Sequence, residues 1–134
     1  MSRPFRLGVV VNPIAGIGGP AALKGSDGAA AQKAADADYR SQSGARMARA
    51  LTGLPPCEVH TLPGAMGEEA CEGLIAHVHP LHIDSAGATD ASHTCEAIRH
   101  LQPFCDLIVF AGGDGTARDV LDALDPNRPV LGVP

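Results

Sequence analysis

The sequence predicts an α/β fold: a doubly wound, mainly parallel sheet with helices on both faces. Three observations carry that prediction. Short apolar runs alternate with helix-period segments along the 134 residues, the order produced by right-handed βαβ crossovers. One run, Asp106-Leu107-Ile108-Val109-Phe110-Ala111, is continuously apolar after its first residue, which implies burial on both faces as in a parallel sheet. The composition, 45% hydrophobic and 19% charged, suits a chain that buries about 70% of its unfolded surface in one core-bearing domain spanning 1–134.

Each element has its own signal. Leu7-Gly8-Val9-Val10-Val11 is a β-branched run closed by Asn12-Pro13, where proline removes the next ladder donor, so it reads as the first strand. Residues 13–44 are rich in Gly, Ala and Ser without apolar periodicity, and connections of that length are usually functional or mobile. Met47, Ala48, Leu51 and Leu54 have helical spacing across 45–54, with Gly53 weakening the end and Pro55-Pro56 stopping it. Glu58 to Leu62 alternates as a second strand. Ala70, Leu74, Ile75 and Val78 predict a helix over 66–78, and Leu81 with Ile83 a third strand within 80–86. Cys95, Ile98 and Leu101 predict a helix over 90–101 with Asp90 as N-cap. After the apolar run at 106–111, residues 116–124 read as helix and 129–133 as a final strand. That strand closes on Pro134 with no helix to cover its far side, so the expectation is the front part of something longer.

A formal charge of −5 and an isoelectric point near 5.6 argue against a surface that tracks nucleic-acid phosphates. The aromatic residues Phe5, Tyr39, Phe104 and Phe110 are too few for a base-stacking platform. No apolar run approaches the ~20 residues that span a bilayer. Cys57, Cys71, Cys95 and Cys105 form no C-x-x-C pair and follow no secretory leader, so they read as reduced, buried thiols of a cytoplasmic protein. The open sheet edge favours self-association, and the expectation is a homodimer.

Gly112-Gly113-Asp114-Gly115-Thr116 is the most informative segment. It follows a buried strand and opens a helix, which puts it at the carboxyl edge of the sheet, where open α/β folds bind ligands. Glycines there permit positive φ and let backbone amides approach a phosphate, while the helix start adds unpaired N–H groups and partial positive charge. Thr116 fits the N-cap, with Asp119 completing a variant capping box. Asp114 is costly beside a phosphate unless it binds Mg²⁺, accepts a proton from an attacking hydroxyl, or fixes a sugar hydroxyl. The plain alternative is a tight turn with Asp as turn former. A second glycine cluster, Asn12-Pro13-Ile14-Ala15-Gly16-Ile17-Gly18-Gly19, follows the first strand and belongs to the same edge.

Two nucleotide motifs are rejected. Gly16, Gly18 and Ala21 match G-x-G-x-x-A, but the cluster starts four residues beyond the strand, with Pro20 inside and no acidic residue closing the second strand near Leu62. Gly19 to Ser26 holds P-loop letters in the wrong order, ending Lys24-Gly25-Ser26. Lys24 and Arg118 flank glycine turns and are placed to meet phosphate; Arg118 fits a solvated helix face equally well. His77, His79 and His82 point in differing directions and do not predict a metal site.

The pairing of V-V-N-P-I-A-G-I-G-G with L-I-V-F-A-G-G-D-G-T-A-R-D-V resembles the ATP-NAD kinase family, within the superfamily shared with diacylglycerol, sphingosine and 6-phosphofructokinases. The resemblance covers nearly the whole chain and is greatest to the ATP-NAD kinase-like branch. It implies phosphoryl transfer from ATP with Mg²⁺ or another divalent cation to a hydroxyl, most simply that of NAD. It gives Asp114 the acceptor hydroxyl; Gly112, Gly113, Gly115 and Thr116 the nucleotide-contacting turn; and Asn12, Gly16, Gly18 and Gly19 the first nucleotide-side loop. The family's β-rich C-terminal domain is not in this sequence, so the expectation is a nucleotide-binding N-terminal domain inactive in isolation. A non-catalytic nucleotide-sensing module and a lipid or small-metabolite kinase are the alternatives.

Overall fold

β-branched residues turn Arg6–Val11 into β1, with Leu7, Val9 and Val11 buried on one side of the chain and Val10 on the other. The computed structural model describes residues 3–13, 42–82 and 91–134. Within them the other strands are β2 (Glu58–Thr61), β3 (His77–Pro80), β4 (Leu107–Ala111) and β5 (Val130–Val133). All pairings are parallel, and the order is β3-β2-β1-β4-β5. β1 and β4 are therefore central neighbours, Leu7 opposite Leu107 through Val11 opposite Ala111.

The helices are α1 (residues 42–50), α2 (Ala91–Leu101) and α3 (Asp114–Ala123). They cover both faces of the sheet, as the doubly wound prediction requires. Met47 and Leu51, at and just beyond the end of α1, pack with Leu7, Val9, Val11, Val59 and Val109 in one core. On the opposite face Ala97, Ile98 and Leu101 of α2 and Val120 and Ala123 of α3 join Val10 and Ile108. Thr61, fully buried, donates its hydroxyl to Val9 O at 2.7 Å and ties β2 to β1. No helix among the described residues is long and apolar enough to cross a membrane.

The structure changes several predicted elements. Residues 66–78 do not form a helix. Gly64–Met66 and Glu68–Cys71 are single 3-10 turns, and β3 begins at His77. Gly67 at φ +155° and Gly73 at φ +82° interrupt the run, and the alternating His77-Val78-His79 pairs with β2 instead. Ile75, assigned to a buried helical face, is 81% exposed. The third strand, expected within 80–86, runs His77–Pro80 with Leu81 and His82 beyond its end, and residues 83–86, like the proposed N-cap Asp90, lie outside the described residues. Helix α1 gives way to a turn at Leu51, earlier than Leu54, with Gly53 at φ +81°. Helix α3 starts at Asp114, so Gly113 is its N-cap and Thr116 lies inside the first turn. The capping box with Asp119 is therefore absent from this helix start.

Candidate functional site

Parallel strands end at one edge of a sheet, and where successive crossovers run in opposite directions their carboxyl ends leave a crevice. Here that point lies between β1 and β4. Asn12 and Pro13 follow β1 there; Gly112 and Gly113 follow β4. The backbone N–H of Asn12 donates to Ala111 O at 2.9 Å, carrying the ladder one step past the last strand residue. Its side-chain Nδ2 donates to Thr116 Oγ1, also at 2.9 Å. The ends of β1 and β4 are thus joined through both main chain and side chain.

Gly112 makes the second bond possible. A Cβ at this position would overlap the Thr116 side chain, which leans back toward the helix start as helical side chains do and is 3% exposed. None of Gly112, Gly113 and Gly115 has positive φ, contrary to the conformational reason expected for them. Their value is steric. Among the described residues nothing lies within 4 Å of a Cβ built on Gly113 or Gly115.

The first intrahelical amide bond of α3 runs from Ala117 N–H to Gly113 O at 3.1 Å. The amides of Asp114, Gly115 and Thr116 therefore lack partners within the helix and lie at its positive end, an arrangement that favours an anion. Asp114, the first residue of the helix, is exposed, and its carboxylate has no hydrogen-bond or ion-pair partner among the described residues. An exposed carboxylate at a helix start can accept a proton from a hydroxyl brought to that edge.

The structure brings Asn12, Gly112, Gly113, Asp114, Gly115 and Thr116 to one rim. Gly16, Gly18, Gly19 and Lys24 lie outside the described residues. Arg118 is exposed on α3. The bond between Asn12 and Thr116 is not among the sequence expectations, which make the threonine a cap; the local hint is Gly112, four positions before it, whose missing side chain leaves room for the threonine.

Among the described residues no three His, Cys, Asp or Glu side chains group as a metal site. The histidines form something else. His60 stacks on His79, centroids 5.0 Å apart, and on Phe104 at 6.3 Å. These rings, with Pro80, Leu81 and Leu101, border a cavity of about 190 Å³ that shares no residue with the rim.

A family model described as the ATP-NAD kinase N-terminal domain matches residues 7–134. The chain is also similar to proteins named diacylglycerol kinase, at 43% identity in Staphylococcus saprophyticus subsp. saprophyticus and 47% in Staphylococcus epidermidis. Each match runs over 53 residues, 37% of this chain and 17% of the relative. No solved structure matches the chain.

Proposed function

Because the chain belongs to the ATP-NAD kinase N-terminal domain family, we propose that it forms the nucleotide-binding part of a kinase-like phosphotransferase that moves a phosphoryl group from ATP to a hydroxyl of NAD. The observation that carries this reading is the rim itself: Asn12 bonded to Thr116 at 2.9 Å, with the start of α3 and the exposed Asp114 beside it. Amides of residues 113–116 receive the nucleotide phosphates, and Asp114 engages the acceptor hydroxyl. As the acceptor oxygen forms its bond to the transferred phosphorus and the bond to the ADP leaving oxygen breaks, the hydroxyl proton passes to the Asp114 carboxylate. A divalent cation bound with the nucleotide supplies charge neutralisation on the phosphates. The chain contributes position and a proton acceptor, the larger part of catalysis in this chemistry.

The rest of the acceptor pocket is assigned to a β-rich region of the kind the family resemblance implies, so the 134 residues bind nucleotide weakly and do not turn over alone. The likeness to diacylglycerol kinases supports a second reading in which the acceptor hydroxyl belongs to a lipid. Calorimetric titration with ATP·Mg²⁺ and with NAD⁺ tests the proposal. Weak ATP binding that falls on Gly113→Val supports it; no ATP binding at all defeats it. Robust NADP formation by this chain, lowered ~10²-fold or more by Asp114→Asn, would support the acid's role and overturn the assigned dependence on a further region. Tight nucleotide binding without any turnover would favour the sensing module.

A further inference from the structure

We propose that Thr116 is a positioning residue whose buried hydroxyl, acting through Asn12, holds the carboxyl ends of β1 and β4 in the arrangement that binds nucleotide. The proposal rests on the nucleotide reading above. Three observations support it. Thr116 is 3% exposed, so its hydroxyl is withdrawn from a ligand arriving at the open face of Gly113 and Gly115. Its Oγ1 accepts from Asn12 Nδ2 at 2.9 Å across a sequence separation of 104 residues. Gly112 leaves the space that the threonine side chain fills, so the corner is built around this contact. Asn12, tied by its backbone to Ala111 as well, is the point at which the residues after β1 are anchored to the β4 corner.

A merely structural hydroxyl and a positioning one differ in what rescues them. Thr116→Val keeps the shape and removes the acceptor; Thr116→Ser keeps the acceptor. We expect ATP·Mg²⁺ affinity about tenfold weaker in Thr116→Val, within about twofold of the parent in Thr116→Ser, and about tenfold weaker in Asn12→Ala. Adding Thr116→Val to Asn12→Ala then costs less than about twofold more, because the partner is already gone. Unchanged affinity in Thr116→Val, or fully additive losses in the double variant, overturns the proposal while leaving the nucleotide reading intact. Should Thr116→Val fail to fold, the Asn12 side-chain amide signals, assigned by their loss in Asn12→Ala, decide: slowed solvent exchange in the parent and in Thr116→Ser supports the contact, and fast exchange overturns it. A parent chain that binds no ATP defeats the nucleotide reading, and a protected Asn12 amide would then mark the bond as architectural.

Discussion

His60 carries its Nε2 in a buried position with no hydrogen-bond partner among the described residues, 3.7 Å from a Glu58 carboxylate oxygen, and its ring stacks with His79 and with Phe104. Burial, and then the neighbouring His79, hold its pKa below 6.5 despite the Glu58 carboxylate. In the interval between that lowered value and 6.5 the unfolded chain binds more protons than the folded one, so stability rises with pH across the interval and is complete above it. Urea midpoints measured against pH should show this slope, and His60→Phe, which keeps the ring stack, should flatten it; an equal slope in both proteins would refute the assignment. Asp106 gives a second acid limb. The Arg3 guanidinium, with the Arg6 amide, holds its carboxyl at about 2 against an ordinary 3.8, so its contribution is present above 3.8 and lost as pH falls toward 2.

At the scale of elements, the segment between β2 and β3 shows how glycine overrides an apolar pattern. Ala70, Leu74, Ile75 and Val78 are spaced for a helix, yet Gly67 and Gly73 adopt positive φ, and the chain turns twice before pairing with β2. A substitution at each glycine separates conformation from space. Around Gly73 nothing lies within 4 Å of an added Cβ, so Gly73→Ala should cost only the left-handed backbone strain, about 1–2 kcal/mol. At Gly67 the new Cβ would overlap Thr61 Oγ1 and approach Val9 O, and the hydroxyl there already bonds β1. Gly67→Ala should therefore be the more destabilising of the two by denaturant unfolding, and a ranking the other way would contradict the contact. A comparable long-range tie joins α2 to α3: the buried Gln102 donates to Ala123 O at 3.3 Å and accepts from Asp125 N–H at 2.8 Å, closing the end of α3 with a side chain from the turn after α2.

At the scale of the molecule, the parallel sheet of the described residues separates two cores, with Cys57 and Cys71 buried in one and Cys105 in the other. Cys71 lies in the core beside α1 and Cys105 in the core beneath α2 and α3. Burial pushes both thiols up to about 11, so neither is a ready nucleophile near neutral pH. All four cysteines are free, and Cys95 is the one that is not fully buried. Because both cores share β1 and β4, they should be lost together. Alkylation of Cys71 and Cys105 in increasing urea should follow one curve, and clearly separate midpoints would show that the two faces of the sheet unfold independently.

The sequence by itself determined the fold class, the strands read at 7–11, 58–62, 106–111 and 129–133, each within a residue of its observed bounds, and the placement of Gly112 to Thr116 between a buried strand and a helix. These are local properties: a β-branched run, a change of period or a glycine pair is complete within a few residues. Only the tertiary structure decided that β1 lies next to β4, that residues 77–80 add a strand while 66–76 do not continue as helix, and that Thr116 meets Asn12 rather than capping its own helix. Those outcomes depend on partners up to 104 positions apart along the chain. Strand pairing and buried hydrogen bonds are selected by the free energy of the assembled sheet, in which each segment's own preference is only one contribution.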